Sequence, residues 1–153
     1  GGCLVLPARL LAASGNAMQP PESTAEMEAL AMTAVIEYEK RQGHAPFDVH
    51  KENRGWDIES GDGQGRLRFI EVKGRRADAE TVCVSRNEWL TCMNKREDYY
   101  LAIVLIDKGV AREPVMIADP VKGDASFAVT SVNLKLSALL GQLEGERGGE
   151  RGA

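Results

Sequence analysis

The chain has 153 residues, 43% hydrophobic and 27% charged, the profile of one soluble globular domain with room for a real core. Its formal charge of −4 argues against a surface that is basic throughout, so any nucleic-acid contact must come from a local patch. Cys3, Cys83 and Cys92 lack metal-ligand spacing, and their odd number argues against a closed disulfide framework and for a reducing compartment.

The first residues, Gly1 to Ala17, are apolar but have no initiator Met and no basic start, and Pro7 and Arg9 interrupt the run. No stretch approaches the roughly 18 apolar residues that span a bilayer. These features lead us to expect a cytoplasmic protein, and a piece of a longer chain. Residues 1–23 read as an N-terminal segment and linker, ending on paired prolines before a helix start. Ser23-Thr-Ala-Glu26 is a capping box, which opens a helix to about Gln42, and Gly43 supplies its left-handed stop. Met27, Leu30, Ala31, Ala34, Val35 and Tyr38 recur at helical spacing as the buried stripe.

Short strands are expected at Phe47–Val49, Trp56–Ser60 and Arg66–Lys73, with Gly61-Asp-Gly-Gln-Gly65 as a tight turn between the last two. Thr81–Val84 is a further strand, in which Cys83 is expected to be buried and inert. Ser85-Arg-Asn-Glu88 is a second capping box, with a helix to about Arg96. We read Glu88 there as the reciprocal partner of Ser85 rather than as an active-site group. Tyr99 to Ile106 is the most apolar run and predicts a central strand buried on both faces. Two weaker strands, Val115–Ile117 and Phe127–Val129, precede a short helix over about Leu134 to Leu143. The α/β domain thus spans 24–144, as a mixed central sheet flanked by helices. Residues 145–153, rich in Gly, Glu and Arg, are expected to be a disordered tail.

The chemistry concentrates in one hairpin. Side chains two residues apart on a strand share a face, so Glu71 and Lys73 point the same way. If the turn is symmetric about Gln64, Asp57 opposes Glu71, each seven positions from the centre, and Lys73 is the next neighbour on their face. A one-residue slip would separate them. Opposed carboxylates repel, and a divalent cation removes that penalty; Mg²⁺ takes one or two carboxylates and completes its shell with water and phosphate. Asp57 and Glu71 are therefore the candidate ligands for Mg²⁺ or Mn²⁺, and Lys73 the group that orients a nucleophile. An isolated E-x-K is more often a surface pair, and the further residues below are what raise this one above that reading.

The first helix offers further acids. Glu28 and Glu39, eleven positions apart, superpose on one flank of the apolar stripe at about 100° per residue, and either can complete the catalytic set. Arg66, Arg68, Arg75 and Arg76 surround the E-x-K strand, with Lys51 and Arg54 near in sequence, as candidate phosphate contacts. His44 and His50 have no partners at zinc-ligand spacing.

Several blocks follow one order: Glu28-Ala-Leu-Ala-Met32, Val35-Ile-Glu-Tyr-Glu39, Gly43, Pro46, Asp48-Val49, Asn53-Arg-Gly-Trp-Asp-Ile-Glu-Ser60, Arg68-Phe-Ile-Glu-Val-Lys-Gly-Arg75, Ser85-Arg-Asn-Glu-Trp89 and the Tyr99 to Val104 run. Together they resemble the NO VEIN C-terminal domain, over about residues 26 to 106. That family, often attached to helicases, resembles a branch of the PD-(D/E)XK nucleases. The resemblance implies a restriction-endonuclease-like fold, Asp57 as the first acid of the motif, and Glu71 and Lys73 as its E-x-K. Some relatives carry Gly-Glu where this chain has Ala31-Met32, which removes the usual helix-borne acid; Glu28 or Glu39 would then substitute. Gly1–Pro7 and Thr130–Asn133 resemble flanking pieces of bacterial Swi/Snf-type helicases, implying a covalently linked upstream motor. No Walker A motif is present in the chain itself.

The expected function is metal-dependent hydrolysis of DNA phosphodiesters by a module of a larger helicase or defence-type protein. The alternative is a nuclease-like domain without catalysis that binds DNA or a partner protein.

Overall fold

The computed structural model describes residues 24–120 and 130–141. Ser23, residues 1–23 and 145–153 as a whole, and the expected strand at Phe127–Val129 lie outside them. No helix among the described residues is long and apolar enough to cross a membrane.

Helix α1 (Thr24–Arg41) ends at Gly43, whose φ of +83° is open to glycine without a Cβ penalty. Strands β1 (Ala45–Asp48), β2 (Ile58–Gly61) and β3 (Leu67–Arg76) follow as an antiparallel meander, with a single 3-10 turn at His50–Glu52 between the first two. The tight turn forms as its glycines predict: Gly63 and Gly65 have positive φ, and Asp62 accepts the Gln64 and Arg66 N–H groups. Strand β3 runs three residues beyond Lys73, to Arg76.

The chain then leaves the sheet through β4 (Thr81–Ser85) and α2 (Arg86–Asn94) and returns as β5 (Tyr99–Asp107), parallel to β3. Two strands, β6 (Val110–Ala111) and β7 (Val115–Ala118), pair antiparallel with successive parts of β5. The sheet order is β1-β2-β3-β5-β6, with β7 also on β5. Strand β8 (Ser131–Lys135) pairs with β4 as a separate two-stranded ribbon, and residues 136–141 are helical.

Side-chain alternation explains the layers. Ala102, Val104 and Ile106 of β5 meet Ile58, Ile70, Ala31 and Val35 under α1. Leu101 and Ile103 point to the other face, against Val82, Ile117, Leu136 and Leu139, while Tyr99 joins Val84, Trp89 and Cys92 beneath α2. Strand β5 is thus buried on both faces, as its unbroken apolar run predicts.

Two expectations are corrected. The segment from Leu134 does not begin a helix: 131–135 is a strand, and helix starts only at 136. Its Val132 and Leu134 alternate with polar residues, and pairing with β4 captures that period-two pattern. Cys83 is exposed, not buried, because the ribbon turns Val82 and Val84 inward and the odd position outward. Cys92, on α2, is the buried one of the two.

Candidate functional site

The β2–β3 ladder pairs Ile58 with Ile70, Glu59 with Phe69 and Ser60 with Arg68, the register symmetric about Gln64. The ladder ends at Ile58, although the Asp57 N–H still donates to the Ile70 carbonyl at 2.9 Å, so Asp57 is not the ladder partner of Glu71 as the hairpin count expects. One residue earlier, Asp57 turns its carboxylate onto the next free donor of β3 and accepts the Val72 N–H at 2.9 Å. Beyond this point β3 has no β2 neighbour, and a cleft of about 280 Å³ opens along its edge. Asp57, Glu71, Lys73, Arg75, Glu28 and Met32 line it, with His50 at the rim.

Glu71 is buried, and this pushes its carboxyl up to about 8, against the partial relief of the Lys73 ammonium; the neighbouring Asp57 and Glu88 charges add to the rise. Burial also raises Asp57, while the Val72 N–H and Lys73 oppose it. Lys73 Nζ lies 2.7 Å from Glu71 Oε1 and 2.9 Å from Glu88 Oε2. Burial pulls Lys73 down, but the two carboxylates outweigh it and leave the ammonium above its ordinary range. Glu88 is held low by its bonds to Lys73 and Ser85, which overcome its own burial.

The helix acids separate. Glu28 reaches the cleft one turn before Met32, which lines it too. Glu39 lies on the same flank but eleven residues on, about 16 Å along the axis. There it is completely buried, bonded to Arg68 Nη1 at 2.9 Å and to His44 Nδ1 at 2.7 Å. Angular phase put both acids on one flank; axial rise allows only one at the cleft.

The expected basic patch is largely committed elsewhere. Arg68 is tied to Glu39 and stacked 4.1 Å over the Tyr100 ring. Arg66 pairs with Asp98, Arg76 with Asp78, and Arg54 with both Glu52 and Glu59. Of the six cations, Arg75 lines the cleft, donating to the Gly74 carbonyl. Lys51 is exposed in the turn before β2.

Glu88 is the site residue that sequence reasoning left out. Its capping box with Ser85 forms as the Ser-x-x-Glu spacing predicts, and the same carboxylate also meets Lys73. Only the crossover that carries the chain from β3 through β4 and α2 back to β5 brings the two together, and no local spacing signals it.

A family model, described as the C-terminal part of protein NO VEIN, matches residues 27–117. The chain belongs to the NO VEIN C-terminal family. The match runs from within α1 to within β7 and includes every residue that lines the cleft. Among solved structures, this NO VEIN C-terminal chain is similar to Hjc of Archaeoglobus fulgidus, a Holliday junction resolvase. Identity is 15%, coverage 71% of this chain and 90% of that one, and the TM-score 0.50. The likeness assigns the fold alone: mixed α/β, restriction-endonuclease-like. No curated protein matches the chain.

The donors around the cleft suit a small hard cation. Among the described residues, no three His, Cys, Asp or Glu side chains form a group able to hold a metal. Asp57 and Glu71 would offer two carboxylates at the open sheet edge, a set of the kind that Mg²⁺ takes together with water and phosphate.

Proposed function

We propose that this domain hydrolyses DNA phosphodiesters with a divalent cation, Mg²⁺ or Mn²⁺, as part of a longer protein that includes a helicase. The observation that carries this reading is the convergence of Asp57, Glu71 and Lys73 on one cleft at the open edge of β3. A nuclease-like fold in which E-x-K lies on the strand beside that edge supports it.

Asp57 and Glu71 would hold the cation, and Glu28 faces them from α1 as a base or as an anchor for its water shell. Val72 adds a main-chain acceptor, since its C=O leaves the strand on the same side as the N–H that Asp57 binds. When bound, the cation would supply charge neutralisation at the phosphate and a more acidic water. Lys73 then orients the attacking oxygen or meets charge that develops on the phosphate. Arg75, at the cleft wall, is suited to a neighbouring phosphate.

A second reading, a DNA- or partner-binding domain without hydrolysis, is favoured by the tight tie of Lys73 to Glu71 and Glu88. The test is incubation of the chain with end-labelled duplex, single-stranded and four-way-junction DNA in Mg²⁺ or Mn²⁺. Metal-dependent products absent from Lys73→Ala establish hydrolysis. Binding without products above the Lys73→Ala background, also in the full-length protein, would put the binding reading in its place.

A further inference from the structure

Lys73 is held by two carboxylates of different provenance. Glu71 shares its strand, whereas Glu88 comes from the first turn of α2, on the far side of a crossover. The position of Glu88 is set without Lys73. Its Oε2 accepts the Ser85 N–H at 3.1 Å, and its own N–H donates to Ser85 Oγ at 3.3 Å. That reciprocal cap requires an acceptor at this position, and glutamine serves as well as glutamate. The negative charge is therefore surplus to the cap, yet the side chain is only 18% exposed, where an uncompensated carboxylate is costly. Lys73, at 2.9 Å, is its compensation.

We propose that Glu88 is a positioning residue: a fixed second seat that keeps the Lys73 ammonium at the cleft when a divalent cation draws Glu71 away from it. The proposal rests on the metal-dependent reading above. A lysine has four rotatable side-chain bonds, and one released from Glu71 alone would gain freedom by swinging into water. With Glu88 anchored on α2, the ammonium loses one partner and keeps the other, so it remains beside Glu71 where a nucleophile would be held. The same seat lowers the cost of cation entry, because Lys73 need not be displaced into solvent. The helix N-terminus adds only a general preference for an anion.

Cation binding, not cleavage, tests this. Isothermal titration with MgCl₂ is run on the full chain, on Glu88→Gln, on Lys73→Met and on the double variant. Glutamine keeps the cap, so circular dichroism should be unchanged. Should Glu88→Gln lose helix, Glu88→Asp replaces it under the same thresholds, since its carboxylate keeps favourable charge in the first helical turn while its shorter arm falls short of Lys73. The expected result is a loss of about fivefold or more in Mg²⁺ affinity when Lys73 is present and less than about twofold when it is Met, the signature of coupling through that pair. Equal losses in both backgrounds would overturn the proposal in favour of a direct cation ligand. No loss in either would reduce Glu88 to a helix cap and overturn it too. A wild-type chain that takes up no Mg²⁺ would bring down the metal-dependent reading itself, and the proposal with it.

Discussion

The Asp57 carboxylate accepts the Val72 N–H at 2.9 Å, at the step where the β2–β3 ladder ends. The bond does two things at once. It satisfies a donor that the shortened β2 leaves bare, and it turns Asp57 toward the cleft beside Glu71. Asparagine can still accept that N–H, whereas alanine cannot. Asp57→Ala should cost about 1–3 kcal/mol, the usual penalty for a part-buried donor left without a partner, and Asp57→Asn much less. Urea unfolding of both variants checks the order. Equal destabilisation by the two would show that the acceptor is not what matters.

Divalent cations should stabilise the native chain. Binding to the folded state alone adds about 2.7 kcal/mol at a hundredfold excess over Kd. Melting in millimolar Mg²⁺ or Mn²⁺ should therefore rise, and Asp57→Asn, with its fold kept and one charge lost, should remove most of the rise. A melting curve that is indifferent to Mn²⁺ would count against a preformed seat.

Glu71 gives the stability a pH slope of defined sign. Its carboxyl is raised from 4.5 to about 8, so between these values the native state keeps a proton that the unfolded chain has released. The native state then binds more protons, and stability falls as pH rises through that window. Glu71→Gln should flatten the slope between about pH 5 and pH 8, and saturating Mg²⁺, which displaces the proton, should flatten it in the wild type. Unfolding free energies at a series of pH values decide; a stability that rises across the window would contradict the buried carboxyl.

Glu28 and Glu39 should respond oppositely. Glu39→Ala leaves the part-buried Arg68 without its fully buried carboxylate and should cost about 3–5 kcal/mol, with Mg²⁺ uptake by the folded fraction unchanged. Glu28→Gln, on an exposed turn of α1, should leave stability within about 0.5 kcal/mol and weaken metal uptake or cleavage instead. Denaturant titration beside calorimetry separates the two, and a metal defect in Glu39→Ala would undo the assignment.

Gly74 sets the height of α1 above the site. A Cβ there would lie 2.8 Å from the Met27 carbonyl oxygen and 3.0 Å from Ala31 Cβ, both fixed by the helix. Gly74→Ala should destabilise by about 1–3 kcal/mol, the range of an overpacked core, and lift the turn that carries Glu28. A variant as stable as the wild type would mean that α1 moves freely over β3.

The sequence by itself determined the local elements and the hairpin. Glycines at 63 and 65 and the symmetry about Gln64 give the register from Ile58–Ile70 to the turn, because turn geometry and a side-chain period of two are short-range matters. The Ser85–Glu88 cap and the doubly buried β5 were legible for the same reason. Only the tertiary structure decided which acids meet. Helical phase could not choose between Glu28 and Glu39, since it carries angle and not the sheet edge against which the helix comes to rest. The commitment of Arg66 and Arg68 to internal partners was hidden likewise, because charge counts are local and their ion pairs are made across 32 and 29 positions. Glu88 joins Lys73 through a crossover and β8 joins β4 across the chain, contacts set by the layering of the whole fold.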